Sequence, residues 1–352
     1  VNLYGQQWTR RELEARLGRL EQVAGVQRFQ YTEGPERDVE QIRVRTGGGL
    51  EYHVVPARGL DISLAAFGGV PLSWQSPNGE MHPAFYNPRG SEWLRTAAGG
   101  LLMTCGLTQV GSAGEDQGEE LGLHGRIHHI PARHVVGEGR WADDSYEMRV
   151  SGVLEEVSIF GHRLRLTREI RSRLGINRIV IHDTVENTGF EPAPHMILYH
   201  FNFGFPLMSE STRVELPSRR VTPREADTPL QDLDRWQAPQ PGFQERVYYH
   251  EDLLARDGWT EAALYNPQFP TAGGQTIALS VRLRWTVNTL PRLVQWRMPG
   301  AGEYVLGLEP ANCWVGGRAA ERELGTLLTL QPGEQRVYQL LLEVEALQED
   351  GR

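Results

Sequence analysis

The sequence contains no lysine: all 36 of its basic residues are arginine. That single absence removes Schiff-base chemistry, a pyridoxal phosphate anchor, the P-loop lysine and the kinase lysine. Arginine keeps its proton at physiological pH, so any general base has to be His, Asp or Glu. Cysteine is nearly absent too. Cys105 and Cys313 are the only two, too few for a disulfide scaffold in a chain of this size, which points to a reducing cytoplasm. No run approaches the roughly 20 apolar residues of a membrane span, and no basic-plus-apolar signal opens the chain. Positive charge is in deficit. The net charge of −9 argues against a nucleic-acid or anionic-membrane partner, because either asks for a basic face. Internal repeats, low-complexity tracts and Ser/Gly linkers are also missing.

What is present is globular: 39% hydrophobic and 9% aromatic residues over 352 positions, enough for a sizeable core. Thr9 to Glu12 forms a Thr-x-x-Glu capping box, followed by Leu13, Leu17 and Leu20 on one helical face, so one short amphipathic N-terminal helix is expected within a lead-in of residues 1–37. From Asp38 the period becomes two. Ile42 and Val44, then Leu50, Tyr52 and Val54, alternate on either side of Gly47-Gly48-Gly49, the pattern of a hairpin. Further strands are read at Leu60 to Phe67, Tyr146 to Val157, Arg163 to Arg173, Arg178 to Glu186 and Arg336 to Val344. The clearest runs from Thr276 to Val287, where Ile277, Leu279, Val281, Leu283, Trp285 and Val287 alternate with polar or small residues. Gln75 to Gly100 and Gly111 to Gly122 read as long loops, which in compact domains tend to cover a site. Arg219 to Gly242 reads as an irregular excursion. Strand signals over the whole length predict an all-β sandwich or barrel, with residues 38–347 as one domain.

The stretch with most chemical content is His195 to Pro206, an apolar, aromatic run of strand character carrying His195, His200 and Asn202. A histidine in such a run needs a partner or a task. Gly122-Leu123-His124-Gly125 and Leu306-Gly307-Leu308-Glu309-Pro310 suggest the task, since together they add an imidazole and a carboxylate suited to paired acid and base work.

These motifs resemble those of the aldose 1-epimerase (galactose mutarotase) superfamily, and within it a branch of unassigned substrate. The resemblance spans roughly Asp38 to Leu347. Gly122-Leu123-His124-Gly125 is similar to the first histidine motif, His200-Phe201-Asn202 to the second, Leu293-Val294-Gln295-Trp296 to the strand with a substrate-binding glutamine, and Leu308-Glu309-Pro310 to the motif of the catalytic glutamate. All four stand in the family's order. The resemblance implies an antiparallel β-supersandwich that interconverts anomers of a free sugar without a cofactor. It implies Glu309 as base, His200 as acid and His124 as the group that stabilises developing charge. Asn202 and Gln295 would line the sugar site. The family's arginine has no counterpart at Gly99-Gly100-Leu101, and Arg58, with Asp61 beside it, is the candidate to stand in. Its sugar-binding aspartate has no clear match either, and His250, Glu251 and Asp252 lie in about the right region, His250 among the expected binding residues.

Two rival readings stay open on the sequence. His124, His128, His129 and His134 are clustered as metal ligands would be, although the cupin His-x-His pattern is absent and strand alternation would send His128 and His129 to opposite faces. A non-catalytic sugar-binding module on the same fold is the other, because fold alone does not fix activity. Trp74, Trp93, Trp296 and Trp314 would suit sugar stacking in either case. The expected partner is a small-molecule sugar, with no metal, nucleic acid or membrane, and a homodimer is compatible with the sequence.

Overall fold

Period-two patterning along most of the chain becomes two large antiparallel sheets in the computed structural model, which describes residues 1–347. The eight-stranded sheet runs Arg133–Ala142, Ser145–Val157, Arg163–Arg173, Ile176–Asn187, Gln335–Leu347, Thr276–Thr286, Trp259–Pro270 and Arg213–Glu215. The twelve-stranded sheet runs Ser218–Pro223, Arg246–Leu253, Arg292–Pro299, Tyr304–Ala311, Ala193–Gly204, Leu102–Leu107, Asp61–Phe67, Leu50–Val55, Glu40–Arg45 and Gly25–Gln30. Leu328–Leu330 pairs with Ala193–Gly204, and Val70–Pro71 with Asp61–Phe67.

The inner faces of the two sheets make one core. Tyr52, Tyr199 and Phe201 meet Trp285, Tyr338 and Leu342 there, all buried, each such side chain contributing about 1.5–3 kcal/mol. The polar tips of the large aromatics are bonded: Trp285 Nε1 donates to Leu290 O at 3.1 Å, Tyr199 Oη to Asp183 at 2.8 Å, and Tyr52 Oη pairs with Ser172 Oγ at 2.9 Å. Thr276–Thr286 shows the alternation most plainly, with Leu279, Val281, Leu283 and Trp285 inward. Ala193–Gly204 differs, being buried on both faces along its whole length. Ile197, Tyr199, Phe201 and Phe203 belong to the inter-sheet core, whereas Met196 and Leu198 belong to a second apolar cluster on the opposite face. Its uninterrupted apolar run follows from this double burial.

Several expectations need correction. The helix Arg10–Glu14 has the full capping box at Thr9 and Glu12, but it is one turn long. Leu17 and Leu20 lie beyond it and still pack with Leu3, Leu13 and Leu174. Residues 1–37 are not a separate lead-in, because Gly25–Gln30 pairs with Glu40–Arg45 as the outermost strand of the large sheet. The acidic stretch from Gly111 folds partly into a hairpin, Gly114–Asp116 with Glu119–Leu121, pinned by Arg318 and Arg322 to Asp116 at 2.7 Å. The stretch read as irregular from Arg219 begins inside the edge strand Ser218–Pro223. His128 and His129 are not on a strand; they lie in the 3₁₀ turn Ile127–His129.

Candidate active site

The register between Ala193–Gly204 and Tyr304–Ala311 builds the centre of the site. Leu198 pairs with Ala311 and Phe201 with Leu308, which sets His200 across from Glu309 on the face turned away from the inter-sheet core. His200 Nε2 lies 3.2 Å from Glu309 Oε1. Their alignment falls short of a hydrogen bond, and both Glu309 Oε1 and His200 Nδ1 are buried without a protein partner, which leaves them free to meet a ligand. Gly307 makes the space between them. A Cβ there would stand 2.7 Å from Glu309 Oε1 and 3.3 Å from His200 Cε1.

His124 reaches the same point from a loop. It has a left-handed φ of 57°, uncommon outside glycine. The turn is held by His124 N donating to Gly111 O at 2.8 Å and Gly106 N to His124 O at 3.1 Å. Gly125, at φ 73°, lies so close to Gly106 and Gln109 backbone oxygens that a side chain would collide with them. The His124 and His200 rings are 6.0 Å apart, edge to face, and His124 Nδ1 is likewise unpartnered.

Around the three groups lies a cleft of about 300 Å³, within the range of small-molecule sites. Trp74, Trp93 and Trp296 form its aromatic walls. Trp93 leans on His124 at 4.9 Å, and Trp296 meets His200 edge-on at 5.4 Å. The long loop from Gln75 supplies Ser76, Asn78 and Trp93 to the lining, and Asn78 Nδ2 ties it together by donating to Leu94 O and Ala97 O.

Burial dominates the electrostatics. It pushes the Glu309 carboxyl well above its ordinary value, with Glu245 adding to the rise and Arg224 opposing it. It pulls His200 down to about 4, and His124 to about 3, where His200, Arg224 and His128 also disfavour a second positive charge. Displaced in opposite senses, the adjacent acid and base favour a neutral carboxyl beside a neutral imidazole.

Of the expected site residues, His124, His200 and Glu309 converge and the other five do not line the cleft. Arg58 and Asp61 lie behind its wall, 1% and 2% exposed. Arg58 donates to Met81 O and Thr96 O, and Asp61 accepts from Thr104, His128 and Arg168. Gln295 and His250 sit on the opposite face of the sheet, bonded to each other at 3.2 Å. Strand parity explains this: Val294 and Trp296 face the cleft, so Gln295 cannot. Asn202 is buried, its Nδ2 donating to Gly100 O and His200 O. Trp314 stacks at a tilt on Tyr249, outside the lining.

Two charged residues escaped the sequence reading. Arg224 and Glu245 face each other across the cleft rim at 2.9 Å, and Glu245 Oε2 accepts from Trp296 Nε1 at 2.8 Å. Recognising Arg246–Leu253 as a strand would have found Glu245. It precedes Val247, which lines the cleft two residues on, whereas His250 has the wrong parity. Among the described residues, no group of three or more His, Cys, Asp or Glu side chains is placed to hold a metal ion.

The two-sheet fold and this cleft define a member of the galactose mutarotase-like superfamily, in a branch without an assigned substrate. Within it the chain belongs to the family described as Domain of unknown function (DUF4432), whose pattern matches residues 36–344. No curated protein matches the chain by sequence. Among solved structures, a Klebsiella pneumoniae protein assigned provisionally to the aldose 1-epimerases is 25% identical, covers 91% of this chain and 83% of its own, and superposes with a TM-score of 0.83. A galactose mutarotase-like protein from Clostridium acetobutylicum is 15% identical over 92% of this chain and 99% of its own, with a TM-score of 0.62. Galactose 1-epimerase from Lactobacillus acidophilus is 13% identical over 92% and 99%, with a TM-score of 0.56. The latter two likenesses are likenesses of fold. No helix among the described residues is long and apolar enough to cross a membrane.

Proposed function

We propose that the cleft interconverts the anomers of a free sugar by acid/base ring opening. The observation that carries this is the facing of His200 Nε2 and Glu309 Oε1 at 3.2 Å with His124 beside them, in a cleft walled by three tryptophans. Exchange of anomers removes a proton from the anomeric hydroxyl and delivers one to the ring oxygen. The hemiacetal opens, the aldehyde rotates and the ring recloses on its other face. Glu309 as carboxylate takes the hydroxyl proton and His200 as imidazolium supplies the other; on closure each transfer reverses. The neutral acid and neutral imidazole that burial favours hold the same single proton as this ionised pair, so the two forms differ only by a short transfer. His124, with a free ring nitrogen, hydrogen-bonds the ring oxygen or a neighbouring hydroxyl as charge develops. The reaction returns every proton it takes, which fits a site that needs no cofactor.

Binding is assigned to the tryptophan faces and to the Arg224–Glu245 pair. The pair offers a donor and an acceptor side by side, the complement of a sugar's adjacent hydroxyls. Glu245 takes the part first sought among His250, Glu251 and Asp252, and Arg224 the part first given to Arg58. Two free, buried thiols, Cys105 and Cys313, suit a protein working in the reducing cytoplasm.

The test is exchange NMR of anomeric protons over a panel of aldoses, uronic acids and keto-sugars. Wild type should accelerate exchange on at least one sugar, and Glu309→Gln should lower that rate by about 10²–10⁴-fold while sugar binding persists. Saturable binding without acceleration, unchanged in Glu309→Gln, would replace this reading with a sugar-binding module.

A further inference from the structure

Behind the cleft wall a chain of buried polar groups joins the core to the loops that carry the site. Arg168 lies between two carboxylates, with Asp183 at 2.6 Å and Asp61 at 2.7 Å, all three buried. Asp61 Oδ2 is 2.7 Å from His128 Nδ1, and His128 Nε2 is 2.8 Å from Arg58. A guanidinium only donates. His128 Nε2 is therefore an acceptor, its proton sits on Nδ1, and Asp61 receives it. The same guanidinium nitrogen gives its second hydrogen to the Thr96 carbonyl, while NH1 donates to Met81 O at 2.6 Å.

Both loops of the site end on this one side chain. Thr96 closes the 3₁₀ turn Glu92–Arg95 that carries Trp93, and its hydroxyl pairs with His129 Nε2 at 2.9 Å. His129 lies flat on Tyr86, 3.9 Å between ring centres and 5° between planes, and Tyr86 Oη donates to Gly125 O at 2.9 Å. Gly125 follows His124. We propose that Arg58, anchored by His128, is a positioning residue which, through Thr96, His129 and Tyr86, sets where His124 and Trp93 stand in the cleft. It touches no substrate. Lysine cannot replace it, because a single ammonium lacks the planar fork that spans from the Met81 carbonyl on one nitrogen to His128 and the Thr96 carbonyl on the other.

The placement itself can be read without any sugar. Nitrogen-15 histidine NMR of the wild-type chain should show His128 as the Nδ1–H tautomer with Nε2 accepting, and the His124 ring signals, assigned by their loss in His124→Gln, should shift in Arg58→Lys and in Tyr86→Phe. Tyr86→Phe removes one hydroxyl and serves should Arg58→Lys fail to fold. An Nε2–H tautomer at His128 overturns the proposal, as does a His124 signal unmoved in either variant. The kinetic arm rests on the anomer-exchange reading: kcat should fall on the order of 10–100-fold in Arg58→Lys and KM should rise by less, because Trp93 shifts while Trp74, Trp296, Arg224 and Glu245 stay in place. A fall in binding alone, with kcat kept, also overturns it. Should wild type turn over no sugar, the anomer-exchange reading is lost and the histidine signals alone decide the placement.

Discussion

Glu245 acts on the site through its charge as well as its contacts. It raises Glu309 after burial does, and it raises His200 against burial. Glu245→Gln keeps the shape and an acceptor for Trp296 while deleting the charge, so both Glu309 and His200 should titrate lower than before. The two shifts have the same sign. The pH profile of kcat/KM should therefore move to lower pH as a whole, with both limbs displaced together. A profile that moves up, or one in which a single limb moves, would show that Glu245 does not govern the pair. Residues of this kind were the hardest to read in advance. His200 and Glu309 stood out because each interrupts an apolar strand, whereas Arg224 and Glu245 sit where strands begin and end, among charges that are ordinarily solvated.

At the scale of elements, the site is made by strands that meet only through pairing. Gly307 is extended rather than left-handed, so Ala can adopt its backbone. The obstacle is a contact 2.7 Å from Glu309 Oε1, which must displace the carboxylate away from His200. Gly307→Ala is expected to fold and unfold like wild type, within about 1 kcal/mol, yet to lose anomer exchange by about 10²-fold. Calorimetry beside exchange NMR checks both halves, and a variant that keeps its rate would show that the pair does not work by direct apposition. Element type was legible where a wet face kept the alternation unbroken: Arg163–Arg173 falls within the bounds its alternation gave. Trp259–Pro270 and Arg133–Ala142 were missed, since Asn266-Pro267-Gln268 bulges the first pairing and two glycines thin the second. The binding residues inferred from resemblance failed for a simpler reason. Motif order transfers between relatives more readily than the side of the sheet a given residue faces, and Gln295 and His250 both face inward.

At the scale of the whole molecule, acid should unfold this protein early. His128, His129, His195, His200 and His250 are buried, His124 is half-buried, and all six are held below the ordinary imidazole value of 6.5, in each case chiefly by loss of solvent. Below that value the unfolded chain binds protons that the folded chain refuses, so stability falls with pH. Each group costs about 1.4 kcal/mol per pH unit until its own folded value is passed. Asp61, Glu80 and Glu309, raised by burial, act in the opposite sense, and the histidines outnumber them. Tm should be steady above about pH 7 and drop steeply between about pH 6 and 5, before ordinary carboxylates titrate. A Tm that stays level to pH 5 in calorimetry would contradict this.

The pairing of Leu198 with Ala311 and Phe201 with Leu308 has one more consequence. A slip of one residue between those strands would turn either His200 or Glu309 towards the inter-sheet core. Only a molecule whose distant halves have found each other in the right register can have the pair at all. Specific activity would then be a proofreading signal for the fold: in a refolding experiment, the fraction of activity recovered would count correctly assembled molecules, and spectra that report strand content alone would overcount them.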